Sequence, residues 1–325
     1  FEFAATFLYP FFAIFAAYAI LSIGSAMEIK EFEIPVPWGH VAVKAWGVET
    51  NTPVLTIHGV SDNVGSFDRL IPHLPDTFYY ICIDLPGHGR SSPYPPYLLI
   101  TALNTILTMK LVVDYLNRKE YIIMGHSWGG QCAILFTQLY PEYILKLVVL
   151  DCFYLFPIEA KNFKESLRTR IDGLIKLSKN TANRKPAYFT YNDAINKMID
   201  GRFAGMVLSK EAAEPIANRG LVDQGNGLYS FAVDPRMRYF TNLMTSFEYL
   251  GEIVNKYPLV CPVLIIYCSD SDFQYYVLKS VVNEYQKCKN ISIVQVHGSH
   301  DVHNNTPEIV APLVSKFLTS IASKL

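Results

Sequence analysis

The chain lacks an excess of charge of either sign. Its 28 Lys and Arg nearly cancel 29 Asp and Glu, and the charges are not clustered. It therefore offers no basic footprint for nucleic acid and no match for an anionic surface. It also lacks any Cys-x-x-Cys pair. The six cysteines stand at 82, 132, 152, 261, 268 and 288, mostly inside apolar runs. Buried thiols in a reducing compartment are the simpler expectation than a disulfide framework. Internal repeats and low-complexity linkers are absent too, which excludes solenoids and bead-like arrays.

What is present is a sharp local signal. The apolar run Tyr121-Ile122-Ile123-Met124 reads as a buried parallel strand, and Gln131 to Tyr140 reads as a helix ended by Pro141. Between them stands Gly125-His126-Ser127-Trp128-Gly129-Gly130. A strand, a sharp turn with serine at its apex and a helix make a nucleophile elbow. The apex serine must adopt a strained backbone, and a Cβ on either flank would crowd it. The elbow lifts the Ser127 hydroxyl out of the sheet edge and aims the Trp128 N–H at a developing oxyanion.

In chains of this kind the nucleophile comes first, then the acid, then the histidine. After Ser127 only His297, His300 and His303 remain. They follow the strand-like run Ile291 to Val296 and precede a helix expected from about Pro307. His300 sits where the loop turns and is the expected base; His303 is expected to pack or anchor the loop. His-x-x-His-x-x-His could suggest a metal, but no carboxylate or cysteine cluster accompanies it, so no metal is expected. The acid has two candidates. Asp151 ends the run Leu147 to Leu150, and Asp272 follows the strand Val263 to Tyr267. The second oxyanion donor is expected early, from His58-Gly59-Val60, with Val60 N–H in that role and a short helix around Phe67 to Leu74 after it. The run Asp84 to Ser91 reads as a structural turn with His88 as scaffold.

Strand signals alternate with helix signals from about Ile29 to Asp151 and again from Tyr257 onward. That is the pattern of an α/β fold, a mostly parallel sheet with helices on both faces. Residues 152–256 change character, carrying amphipathic stretches such as Asn192 to Ile199 and no convincing buried strand. They read as a helical cap over the active site, its apolar faces lining the substrate pocket. The expected organisation is a hydrolase core over 27–151 and 257–325, that cap, and a separate apolar segment over 1–26.

The two ends disagree. Residues 3–23 are apolar, free of charge and long enough to span a bilayer, though Glu2 stands where a signal peptide carries basic residues. The other end reads Ser323-Lys324-Leu325, the peroxisomal address recognised by an import receptor on folded protein. Translation starting at Met27 would remove the conflict, and a peroxisomal location is the expectation. A membrane association follows only if residues 1–26 are native.

From Met27 onward the chain resembles the serine hydrolase-like (Kraken-type) group of α/β-hydrolases. The resemblance is carried by Val36-Pro37-Trp38-Gly39-His40, Lys44-Ala45-Trp46-Gly47, His58-Gly59 with Asp62-Asn63, and Ser66-Phe67-Asp68-Arg69-Leu70. It continues in Gly125-His126-Ser127 with Gly129-Gly130, Arg219-Gly220, and Gly298 with His300, His303 and Pro307. It implies an α/β-hydrolase fold and a peroxisomal or cytoplasmic serine hydrolase. It also favours Asp151 over Asp272, because the group carries an aspartate at the former position and varies at the latter. The chain departs from the group at Trp128, where a smaller aromatic is common. The expected activity is cofactor-free hydrolysis of a carboxylic ester or thioester with a largely apolar acyl part. The alternatives are a C–C bond hydrolase and a catalytically silent protein holding a small ligand in the capped cavity.

Overall fold

In the computed structural model, residues 27–181, 187–202, 206–241 and 245–321 are described. The apolar segment 1–26 and the Ser323-Lys324-Leu325 tail lie outside them.

Among the described residues ten strands run in chain order: β1 (Ile29–Val36), β2 (Gly39–Trp46), β3 (Thr52–Ile57), β4 (Phe78–Ile83), β5 (Tyr121–His126), β6 (Ile144–Leu150), β7 (Leu221–Gly225), β8 (Leu228–Phe231), β9 (Val263–Cys268) and β10 (Ile291–Val296). Ten helices accompany them: α1 (Ala102–Leu116), α2 (Trp128–Leu139), α3 (Phe163–Thr181), α4 (Tyr191–Asp200), α5 (Lys210–Gly220), α6 (Phe247–Lys256), α7 (Phe273–Val277), α8 (Lys279–Gln286), α9 (Val302–Asn305) and α10 (Pro307–Thr319). Eight strands form one sheet in the order β1-β2-β4-β3-β5-β6-β9-β10. Only the β1–β2 and β2–β4 pairs are antiparallel. From β4 to β10 every pairing is parallel.

The central strands read as unbroken apolar runs because both of their faces are buried. The pleat sends alternate side chains to opposite sides. Leu55, Ile57, Tyr121, Ile123, Leu147 and Val149 join one core cluster with residues of α1 and α2. Val54, Ile122, Met124, Val148 and Leu264 face the other way, onto Val310, Val314 and Leu318 of α10. Lys146 is a buried exception on β6. Its ammonium donates to the carbonyls of Phe317, Leu318 and Ser320, which the end of α10 leaves without helical partners.

Two local expectations differ from what forms. The stretch Phe67 to Leu74 makes no regular helix. It holds the end of one 3₁₀ turn, Val64–Phe67, and the whole of another, Ile71–His73, because Pro72 lacks the N–H a longer helix would need. Residues 152–256 are not all helical either: β7 and β8 pair as an antiparallel hairpin. Gly225, Asn226 and Gly227 all carry positive φ at its turn, the chemistry a tight hairpin demands. The strands are largely exposed and show no apolar alternation, which hid them from a periodicity argument.

Within the same interval, Ile195 of α4 packs on Ala212, Ala213 and Ile216 of α5. Asn63 Nδ2 donates to the Ile216 carbonyl, and the Arg219 guanidinium meets Asp84 at 2.7 Å, fastening α5 to the core loops. The ends of the interval belong to the main core cluster: Cys152 to Leu155 and, on α6, Leu250 and Val254. The groove above the sheet is walled by the span between them, from Arg170 on α3 to Phe240.

Candidate active site

Register brings the site together. β5 is flanked by β3 and β6, and β6 by β9. Ile57 pairs with Gly125, His126 with Leu150, and Leu150 with Ile266. The loops leaving β3, β5, β6, β9 and β10 therefore emerge along one carboxyl edge, where sites of open α/β sheets form.

Ser127 stands between β5 and α2 with φ 50° and ψ −118°. A Cβ added at Gly125 would come within 2.6 Å of the Gly129 carbonyl oxygen, and one at Gly129 within 2.3 Å of the Ile57 oxygen. These close approaches are what the flanking glycines permit. The helix begins at Trp128, three residues earlier than the expected Gln131, so its N-terminus abuts Ser127 directly.

His300 lies on the loop between β10 and α9. Its Nδ1 is 2.5 Å from Asp151 Oδ2. A carboxylate only accepts, so Nδ1 carries the proton and Nε2 is left with its lone pair. Asp151 has φ 50°, a left-handed conformation that a short polar side chain tolerates. Its Oδ1 accepts from the Cys268 N–H at 2.7 Å, and its Oδ2 from the Ser271 hydroxyl at 2.6 Å. Gln274 Nε2 donates to its backbone carbonyl. Of the two candidate acids, it is Asp151 that meets His300. Asp272 is half-buried at the start of α7 and has no hydrogen bond to His300 among the described residues. Its loop contributes donors to Asp151 instead, and Ser271 and Gln274 are the residues that sequence reasoning missed.

Burial alone would lower the His300 pKa. The hydrogen bond that Nδ1 donates to Asp151 and the charge of that carboxylate, with the further charges of Asp301 and Asp62, outweigh that and raise it.

The loop after β3 holds Val60. His58 Nε2 accepts the Leu85 N–H at 2.9 Å, so its proton is on Nδ1, which donates to the Gly59 carbonyl at 2.7 Å. The Asp62 N–H donates to the same carbonyl. In a trans peptide the N–H points opposite the C=O, so fixing Gly59 also fixes the direction of the Val60 N–H. Neither this amide nor that of Trp128 donates to another backbone group among the described residues.

Ser127, Val60, His126 and His300 line one open groove of about 2950 Å³. Apolar side chains including Leu98, Phe156, Leu174, Met237 and Phe240 contribute to its wall. Trp128 packs edge-on against Phe240, with centroids 4.6 Å apart. The other histidines have different surroundings. His88 spends both ring nitrogens on backbone groups, Ser61 N–H and Pro86 C=O. His297 faces the Ser269 hydroxyl. His303 is buried between the His126 and Phe67 rings.

With this geometry the relationship is plain. A family model described as the alpha/beta hydrolase fold matches residues 52–271, and the chain belongs to that family. Within it the chain falls among the serine hydrolase-like proteins. It is 32% identical over 309 residues to serine hydrolase-like protein 2 of Homo sapiens, covering 89% of this chain and 94% of that protein. A serine hydrolase-like protein of Danio rerio is 30% identical over 297 residues, covering 89% and 88%. Among solved structures, a hypothetical protein of Pseudomonas aeruginosa PAO1 superposes with a TM-score of 0.76 at 22% identity, covering 90% of this chain and all of that one.

Buried imidazoles give the fold a pH signature. Burial lowers the pKa of His58 to about 4, of His88 and His126 to about 3, and of His303 well below its usual value. In the unfolded chain these rings gain protons near the ordinary value of about 6.5. Their contribution to stability is thus present above about 6.5 and lost as pH falls toward about 3 to 4. His300 works the other way: its contribution is present below the ordinary value and lost as pH rises through its raised one. Four rings against one predict that the urea midpoint drops steadily from pH 7 to about pH 4. A midpoint flat across that window would show that the four rings are protonated in the folded state.

Proposed function

We propose that this chain is a serine hydrolase that cleaves a carboxylic ester or thioester with a largely apolar acyl group. The observation that carries the proposal is the His300 Nδ1 to Asp151 contact of 2.5 Å, opening on the groove that Ser127 also lines. In this reading the Ser127 hydroxyl attacks the carbonyl carbon while His300 Nε2 takes its proton. The Val60 and Trp128 amides hold the charge on the carbonyl oxygen. The tetrahedral intermediate collapses, the C–O or C–S bond breaks, and His300 returns the proton to the departing alkoxide or thiolate. Water, deprotonated by the same imidazole, then releases the acid from Ser127. Asp151 fixes the tautomer and stabilises the imidazolium. The size of the groove and its apolar wall favour a bulky acyl chain. Ser127→Ala should lower hydrolysis of a short p-nitrophenyl ester by about three or more orders of magnitude without unfolding the chain, and should abolish labelling by a fluorophosphonate. Activity within tenfold of the parent would end the triad reading, and an unlabelled parent would favour a silent ligand-binding protein.

Asp151→Asn should cost far more turnover than Asp272→Asn. An amide at 151 can hand His300 Nδ1 an N–H, which stabilises the wrong tautomer, and it removes the charge that raises the His300 pKa. The acid limb of the residual pH profile should therefore move to lower pH. Equal losses at the two positions, or the reverse order, would reassign the acid.

For location the proposal is peroxisomal, through an import receptor that reads Ser323-Lys324-Leu325. Deleting Leu325 should abolish import of a fluorescent fusion. Retention in carbonate-washed membranes with an intact tail would favour the apolar segment 1–26 as an anchor instead.

A further inference from the structure

Two buried carboxylates, one on the Val60 loop and one beside His300, enter the proposed chemistry only through their charge. Asp62 lies two residues beyond Val60, and Asp301 follows His300. They are 3% and 0% exposed. Arg202, on the span after α4, reaches down to both, with NH2 2.7 Å from Asp62 Oδ1 and Nε 3.6 Å from Asp301 Oδ2. The second distance is too long for a hydrogen bond. Asp62 Oδ2 and both Asp301 oxygens thus have no hydrogen-bond partner among the described residues.

His126 completes the group. Its Nε2 is 3.0 Å from the His300 carbonyl. A carbonyl only accepts, so Nε2 carries the proton and Nδ1 presents a bare lone pair. That Nδ1 is buried and unpartnered. One ligand atom from each of Asp62, His126 and Asp301 lies within 4.8 Å of the others.

We infer that Asp62, His126 and Asp301 form a binding site for one first-row divalent cation of the zinc class. Three features converge on this. Two carboxylates against one guanidinium leave the buried group with one negative charge uncompensated, which a dry interior penalises and a cation offsets. The donor set, one imidazole nitrogen and carboxylate oxygens, suits Zn2+, Co2+ or Ni2+ better than Mg2+ or Ca2+. Finally, a histidine that binds metal characteristically hands its other N–H to a backbone carbonyl or carboxylate, as His126 does. Metal bonds of about 2.0–2.2 Å place ligand atoms about 3.3–3.6 Å apart, so the group must close by about an ångström. Asp301, the carboxylate held least, is the one free to turn. The ion ties the loop carrying Val60, the elbow and the histidine loop to one another. It is not the set suggested by His-x-x-His-x-x-His: of those three histidines none is a ligand.

Co2+ is the probe. The full chain, stripped with a chelator and titrated with Co2+, should saturate at one equivalent and develop the visible bands of a low-coordinate nitrogen–oxygen site, with Zn2+ displacing them. Asp301→Asn and Asp62→Asn should each weaken binding at least about tenfold, while Asp172→Asn on the exposed face of α3 leaves the titration unchanged. Zn2+ should also raise the thermal midpoint of the parent, as a ligand of the folded state alone does. Absence of the bands, or weak binding of several equivalents that none of the variants alters, would overturn the site. Should both carboxylate variants fail to fold, a hyperfine-shifted His126 Nε2 proton in the parent decides the question: seen, the ring is a ligand; absent at saturation, the proposal falls.

Discussion

The hydrogen-bonded carboxylate of Asp151 is the contact on which the site's geometry depends. It directly follows β6, the strand between β5 and β9, and so stands beside both the serine turn and the loop after β9. Its N–H reaches the Ile266 carbonyl at 2.7 Å, and its side chain gathers Cys268 N–H, the Ser271 hydroxyl and His300 Nδ1. Three donors thus meet on one buried carboxylate and fix its orientation. Oriented by them, it can hold His300 in a single tautomer. The left-handed backbone at Asp151, like that at Ser127, is strain that these contacts over-determine.

Much of this was legible because it is local. The elbow is written in consecutive residues, with glycines where a Cβ would meet the neighbouring backbone at under 3 Å. The parallel sheet was legible because burial on both faces leaves only apolar runs. The position of His300 on the loop after β10 followed from the strand-like run before it. The choice between Asp151 and Asp272 was not legible from residues alone, since both end apolar strands in polar loops. What separates them is the direction of side chains at neighbouring strand ends: Asp151 meets His300, and the loop after β9 supplies donors to Asp151. The hairpin β7–β8 was missed for the opposite reason: it buries so little that no periodicity marks it, and only Gly225-Asn226-Gly227 could have.

The long-range ion pairs were beyond any sequence pattern. Arg202 and Arg219 both belong to the span between β6 and β9, and each reaches a buried aspartate on a core loop, Asp62 and Asp84. Asp84 uses its other contacts to hold Val64 N–H and Arg90 N–H. Such pairs add little net stability, because desolvating the charges offsets most of their attraction. Their effect is on geometry: a misplaced span would leave two carboxylates buried without countercharge, at several times the penalty of a lost hydrogen bond.

That constraint links the roof of the groove to its floor. Asp62 shares a loop with Val60, whose amide direction is set by the Gly59 carbonyl held between His58 and the Asp62 N–H. Any shift of Arg202 acts on Asp62 and hence on the peptide that aims this amide. The same arginine faces Asp301, the residue after His300. The neutral histidines around it, His126 and His303, add no positive charge that could replace the guanidinium. The span over the groove is therefore an electrostatic part of the site as well as its wall, since removing Arg202 would take away the guanidinium that faces both Asp62 and Asp301.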